Sequence, residues 1–138
     1  MGQTKSYNYD SQNNIIEVVD FDGNTVSYEY DDKNNLIRTN FADGTFSENR
    51  FENSLKVYSR DIYGLEKTYA YLDGNLTQVG YADGTTERYS YDALGFLVSE
   101  TNRQGITKSY TYDQRGLLVS EGSGDRRQFI TMMVMVKK

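Results

Sequence analysis

The sequence predicts an all-β chain, an antiparallel hairpin-repeat solenoid. A curved sheet is built from about six copies of a 20–21-residue unit over residues 1–124, and a divergent tail follows at 125–138. Three observations predict this class. A Tyr-x-Tyr pair followed by an acid recurs at a nearly constant step, a glycine precedes each pair at a fixed distance, and none of the 138 residues is a proline. Proline would remove a ladder hydrogen bond from an interior strand.

The aromatic strand comes first in each copy. It reads Tyr7-Asn8-Tyr9-Asp10, Tyr28-Glu29-Tyr30-Asp31, Tyr89-Ser90-Tyr91-Asp92 and Tyr110-Thr111-Tyr112-Asp113, with degenerate versions at Asn49-Arg50-Phe51-Glu52 and Tyr69-Ala70-Tyr71-Leu72-Asp73. The second aromatic therefore falls at 9, 30, 51, 71, 91 and 112, and ten of the 13 tyrosines belong to this lattice. Residues two apart share a face in a strand but lie on nearly opposite sides of a helix. The intervening Asn8, Glu29, Arg50, Ala70, Ser90 and Thr111 are mostly polar and point the other way. That alternation belongs to a half-buried antiparallel strand. It predicts a ladder of stacked tyrosines on one face, each cross-strand pair contributing roughly 0.2–1 kcal/mol.

The turns come next. Three residues after the acids Asp10, Asp31, Asp92 and Asp113 stand Asn13, Asn34, Gly95 and Gly116, types that tolerate a left-handed backbone. Aspartate at the first position of a turn accepts a backbone amide two residues on, so Asp-x-x-Gly/Asn predicts a type I turn closed by a left-handed residue. At the other end of the unit, Gly23, Gly44, Gly64, Gly84 and Gly105 each lie seven residues before the next second aromatic. Asp22-Gly23, Asp43-Gly44 and Asp83-Gly84 add a hairpin signal there. All variation in unit length falls in the other half, where one residue is lost around Asn53-Ser54 and around Asp73-Gly74. A second strand opens at Ile15, Leu36, Leu76, Leu97 and Leu118; in the third copy Lys56 stands there between Leu55 and Val57, which leaves its register open.

Composition excludes several functions. Without His or Cys there can be no Ser-His-Asp triad, no cysteine nucleophile, no His/Cys zinc site and no disulfide. Fifteen basic against 20 acidic residues disfavour a nucleic-acid backbone. No apolar run approaches the ~20 residues of a membrane-spanning helix, and no signal peptide opens the chain, so no membrane insertion is expected. The recurring aspartates fit neither a nine-residue calcium β-roll rhythm nor an EF-hand loop, so they are expected to form turns and hold no metal. No cofactor and no enzymatic activity are expected.

The pattern Gly-x4-Tyr-x-Tyr-Asp-x-x-Gly-x-Leu resembles the YD repeat of the Rhs family, which includes the teneurins and insecticidal toxin-complex C components. The resemblance covers residues 7 to 122, with Tyr91-Asp92-Ala93-Leu94-Gly95-Phe96-Leu97 and Tyr112-Asp113-Gln114-Arg115-Gly116-Leu117-Leu118 as its best copies. It implies that long arrays coil as a β-spiral into a hollow shell enclosing a C-terminal polypeptide, often a toxin, which autoproteolysis can release. Three departures follow. The chain is too short to close a shell, it lacks the proline-containing motif that ends the bacterial core, and no cargo segment follows the repeats. The expectation is a non-catalytic segment of shell wall. Its partners would be further repeats of a parent chain, or a second copy pairing through the open sheet edges, with an enclosed toxin polypeptide in the full-length parent.

Two further expectations stand beside this one. The tail Met132-Met133-Val134-Met135-Val136, read one nucleotide earlier, encodes x-Asp-Gly-x-Gly, so the tail is expected to be a frameshifted seventh repeat. Aromatic-rich repeats near this length also occur in carbohydrate- or cell-surface-binding modules. Those rely on exposed tryptophan, which this chain lacks.

Overall fold

The computed structural model describes residues 4–123, and the tail with its proposed frameshift lies outside them. The strands are β1 (Ser6–Tyr9), β2 (Ile15–Val19), β3 (Thr25–Tyr30), β4 (Leu36–Asn40), β5 (Phe46–Glu52) and β6 (Leu55–Arg60), then β7 (Glu66–Leu72), β8 (Asn75–Tyr81), β9 (Thr86–Tyr91), β10 (Leu97–Thr101), β11 (Thr107–Tyr112) and β12 (Leu118–Ser123). All twelve belong to one open antiparallel sheet in which strands follow each other in chain order, and no helix occurs among the described residues. The chain divides into two units, residues 1–68 and 69–138, with the boundary inside β7.

In the first unit the aromatic strands are β1, β3 and β5. Tyr7 faces Val18 and Val18 faces Val26, and on the same face Tyr28 faces Thr39 and Thr39 faces Ser47, so two rows, offset by two residues on β3, cross from strand to strand. This registry corrects one expectation. Tyrosines of successive copies sit on alternate strands, roughly 9–10 Å apart by the usual strand spacing, with Val18 or Thr39 between them. They therefore interleave with second-strand residues and do not stack ring on ring. Thr39, only 8% exposed, is the buried residue at the centre of the second row, between Tyr28 and Ser47.

A register slip recurs in these hairpins. Tyr9 faces Ile15 while Asn8 faces Glu17, and Tyr30 faces Leu36 while Glu29 faces Arg38. Each is a β-bulge that leaves one residue of the second strand outside the ladder. The third copy repeats it, Phe51 facing Lys56 and Arg50 facing Tyr58. Lys56 thus occupies the position of Ile15 and Leu36, and the open register is resolved.

In the second unit the same pattern returns. Tyr91 faces Leu97 and Ser90 faces Ser99; Tyr112 faces Leu118 and Thr111 faces Ser120. Val79, at 6% exposure, is the buried hydrophobic residue, and it faces Glu87. Along β7, and along β9 from Glu87 onward, exposure alternates residue by residue, with Lys67, Tyr69, Tyr71, Glu87, Tyr89 and Tyr91 on the more covered side.

Both ends of the repeat use one turn. Asn13 N–H donates to the Asp10 carbonyl at 3.1 Å and Asp10 N–H to the Asn14 carbonyl at 2.9 Å; at the opposite end Gly23 donates to Asp20 at 3.1 Å and Asp20 to Asn24 at 2.9 Å. The Asp-Gly pairs 22-23, 43-44 and 83-84 are thus the last two residues of four-residue turns opening at Asp20, Phe41 and Tyr81. Only the glycine of each pair has positive φ, at 85°, 88° and 87°. The shortened copies differ. There Asn53 and Ser54 (φ 51° and 66°) and Asp73 and Gly74 (φ 52° and 81°) form two-residue loops with both residues left-handed, the type I′ arrangement.

Candidate functional site

The recurring chemical feature is a tyrosine hydroxyl aimed at the preceding copy. Tyr30 Oη donates to the Ile15 carbonyl at 2.8 Å, Tyr91 Oη to Leu76 at 2.8 Å and Tyr112 Oη to Leu97 at 2.6 Å. Ile15 and Leu97 open their strands, beside the bulge where ladder pairing slips, and Leu76 is the second residue of β8. A carbonyl displaced from a ladder needs another donor, and the hydroxyl supplies it. In the third copy Phe51 has no hydroxyl, and Asn49 Nδ2 reaches the Leu36 carbonyl at 3.4 Å instead. Two departures from the repeat, at 49 and 51, form one local compensation. On the edge strand β1, Tyr7 and Tyr9 are 45% and 54% exposed.

The turn carboxylates serve the backbone. Asp10 Oδ1 accepts Gln12 N–H and Asn14 N–H, each at 2.9 Å, and Asp31, Asp92 and Asp113 bind the corresponding pairs. The second of these bonds, four residues on, is not visible in the sequence pattern. Where Phe41 or Tyr81 opens the turn, Asp43 and Asp83 at its third position take over. Each accepts the N–H (2.9 Å) and hydroxyl (2.6 Å) of Thr45 or Thr85. Hydrogen bonds from Asn14 hold Asp10 below the ordinary carboxylate value, those from Asn35 do so for Asp31, and those from Thr45 and Thr85 for Asp43 and Asp83. Gly44, Gly64, Gly84 and Gly105 close their turns at φ 85–88° with open space or a single Arg60 contact where a Cβ would sit. Gly95 and Gly116 close theirs at φ 88° and 82°. At Gly116 a Cβ would meet Phe96 Cζ at 2.8 Å, because Phe96 stacks on Tyr112 with centroids 5.1 Å apart.

The aromatic face of the second unit is also charged, a feature the tyrosine spacing does not reveal. Glu87 faces Val79, Glu100 faces both Tyr89 and Lys108, and Tyr110 faces Glu121. Tyr81 Oη donates to Glu87 at 2.6 Å and Tyr110 Oη to Glu100 at 2.9 Å. The Glu87 hydrogen bond pushes the Tyr81 hydroxyl up to about 12; burial, then Glu100, pushes Tyr110 up to about 12. A shallow depression of about 280 Å³ lies among Glu87, Tyr89, Glu100, Asn102, Ile106 and Lys108. The signal for Glu87 and Lys108 was present, since each stands two residues before a Tyr-x-Tyr pair and so shares its face.

The opposite face carries polar cross-strand pairs. Asn8 donates to Glu17, Arg38 lies 3.5 Å from Glu48, and hydroxyls meet between Ser90 and Ser99 and between Thr111 and Ser120. Phe46 is contacted by two guanidinium groups, Arg38 at 3.7 Å and Arg60 at 4.1 Å from its centroid. Arg103 lies 3.7 Å from the Tyr81 centroid and binds Asp83 at 2.9 Å, tying two turns of the second unit together. No cluster of three metal-ligating side chains occurs among the described residues, and no helix there is long and apolar enough to cross a membrane.

One open sheet of chain-ordered hairpins, in which the tyrosines Tyr30, Tyr91 and Tyr112 each bind the preceding copy at the same offset, defines a β-hairpin repeat protein. The family model "RHS Repeat" matches residues 9–45, 71–107 and 91–128, which is more than half of the sequence, and the chain belongs to that family. The unmatched stretch 46–70 holds Asn49, Phe51 and Lys56, where the tyrosine lattice is interrupted. Among solved structures the fold is similar to chains in the crystal structures of TcdB2-TccC3-Cdc42 (TM-score 0.64, 14% identity) and TcdB2-TccC3 (TM-score 0.60, 15% identity). It is similar also to a chain of the Photorhabdus luminescens Tc holotoxin pore with a substituted TccC3 (TM-score 0.59, 15% identity). Each alignment covers 92% of this chain and 9–10% of the other, so the chain spans about a tenth of the length of the proteins it resembles. No curated protein matches.

Proposed function

We propose that this chain is a wall segment of a larger encapsulating protein, a scaffold without catalysis whose parent encloses a polypeptide, in the manner of a toxin shell. The observation that carries the reading is the constant offset of 15 residues between each donating tyrosine and its acceptor carbonyl. Such a bond extends to any number of copies without altering any one of them. Among the described residues the outer edges of β1 and β12 have no partner strand, and they offer the backbone donors and acceptors that a preceding and a following repeat would take up. In isolation those edges are available to a second copy of the chain.

Light scattering coupled to gel filtration tests this. The isolated chain is expected to associate as concentration rises, and Tyr7→Pro on β1, which removes an amide on the side away from β2, is expected to reduce association. A monomer at every concentration would remove the reading. Titration with cell-wall oligosaccharides, followed by tyrosine fluorescence, is expected to leave the signal unchanged. A saturable change would favour the carbohydrate-binding alternative.

A further inference from the structure

Four Asp-Gly pairs, at 22-23, 43-44, 73-74 and 83-84, place the same reactive dipeptide in different hydrogen-bond settings. In this dipeptide the glycine amide nitrogen can attack the aspartate Cγ. An N–Cγ bond forms, a Cγ–O bond breaks and the oxygen leaves as water. The resulting succinimide takes water back at either carbonyl. Opening at Cγ restores aspartate, and opening at the main-chain carbonyl gives isoaspartate, which routes the backbone through Cβ. Water is the only co-reactant.

The reaction needs a carboxyl group free to swing back and an amide nitrogen free to attack. Asp43 and Asp83 have neither. Their Oδ1 atoms are held forward by the N–H and hydroxyl of Thr45 and Thr85, Asp83 is also held by Arg103, and the amides of Gly44 and Gly84 donate to the Phe41 and Tyr81 carbonyls at 3.0 Å. Asp22 is half released. Asp20 already occupies the Asn24 amide that would have held it, while Gly23 N–H still donates to Asp20 at 3.1 Å. Asp73 is released on both counts. It is exposed, its carboxylate has no hydrogen bond or ion pair among the described residues, and it sits with Gly74 in the two-residue loop. There the closing hydrogen bond joins the flanking residues and leaves the amide of the second loop residue unused.

We propose that Asp73 is a site of spontaneous succinimide and isoaspartate formation, and that the threonine clamps protect the identical pairs at 43-44 and 83-84. The modification adds one main-chain carbon to the loop that joins β7 to β8. The test is to age the intact chain in neutral buffer and map isoaspartate, by isoaspartyl-methyltransferase labelling and electron-transfer fragmentation, with a urea-denatured sample alongside. In the folded chain isoaspartate at 73 is expected to exceed that at 43 and 83 by about tenfold or more, with 22 between them. In urea the four sites are expected to converge. Comparable accumulation at all four sites in the folded chain, or an excess at 43 or 83, would overturn the proposal.

Discussion

Removing the hydroxyl of Tyr112 takes the side-chain donor from the Leu97 carbonyl while leaving the ring stacked on Phe96. Tyr112→Phe is therefore expected to destabilise by about 1–2 kcal/mol, the cost of an abandoned acceptor, as read from urea unfolding midpoints. Asn49→Ala in the third copy is expected to cost about 1 kcal/mol by the same assay, because Asn49 replaces the hydroxyl that Phe51 lacks. The glycines separate two effects. At Gly84, with φ 87° and nothing within 4 Å, Ala meets only backbone strain of about 1–2 kcal/mol. At Gly116 the new Cβ also strikes the Phe96 ring, so Gly116→Ala is expected to be the more damaging of the two. The tyrosine phase and the left-handed Asn and Gly positions were readable from spacing alone. The acceptor of each hydroxyl was not, because a bulge leaves no mark in composition. Asn49 looked like a lost tyrosine until the Leu36 carbonyl was seen to need it.

At the level of elements, turn length decides turn type. The four-residue turns need one left-handed residue, supplied by glycine or asparagine, whereas each shortened turn needs two. Asn53-Ser54 meets that demand with a serine at φ 66°. Ser54→Gly is expected to stabilise the chain by about 1 kcal/mol in thermal or urea unfolding, since glycine carries no penalty in this region and Asn-Gly is the favoured type I′ pair. At Asp22-Gly23 the hairpin that the dipeptide signals does form, as a four-residue turn like those at 41–44 and 81–84. Here Asp20, two positions earlier, captures the Asp22 and Asn24 amides, where Asp43 and Asp83 take the amides of Thr45 and Thr85 in the other two. Competition between two aspartates for one amide is invisible to any rule that weighs residues singly. The stacked-tyrosine expectation failed for a related reason: pairing within a strand was legible, but the intervening strand of each hairpin separates one copy's rings from the next.

For the molecule as a whole, stability depends on pH from both ends. Asp10, Asp31, Asp43 and Asp83 lose protons below the ordinary 3.8 when folded. The unfolded chain then holds more protons near that value. Their contribution is complete above it and is lost as pH falls through the lowered folded values. Tyr81 and Tyr110, pushed up from 10.0 to about 12, act in the opposite sense. Their contribution is complete below pH 10 and declines between 10 and about 12, as the unfolded chain ionises first. Unfolding midpoints measured across pH are expected to fall on both sides of a plateau, with Glu87→Gln moving the Tyr81 phenolate transition, followed by ultraviolet absorbance, to lower pH.

The length variation of the copies lies wholly between an aromatic pair and the strand that follows it, so it never alters the 15-residue reach from tyrosine to carbonyl. Duplication or excision of a complete copy by recombination between similar DNA segments therefore leaves the surviving joints as they were, and such arrays are free to grow or shrink in the genome. A single codon gained between the glycine and the next tyrosine pair would instead turn that pair inside out. Selection is expected to tolerate the first kind of change and to purge the second.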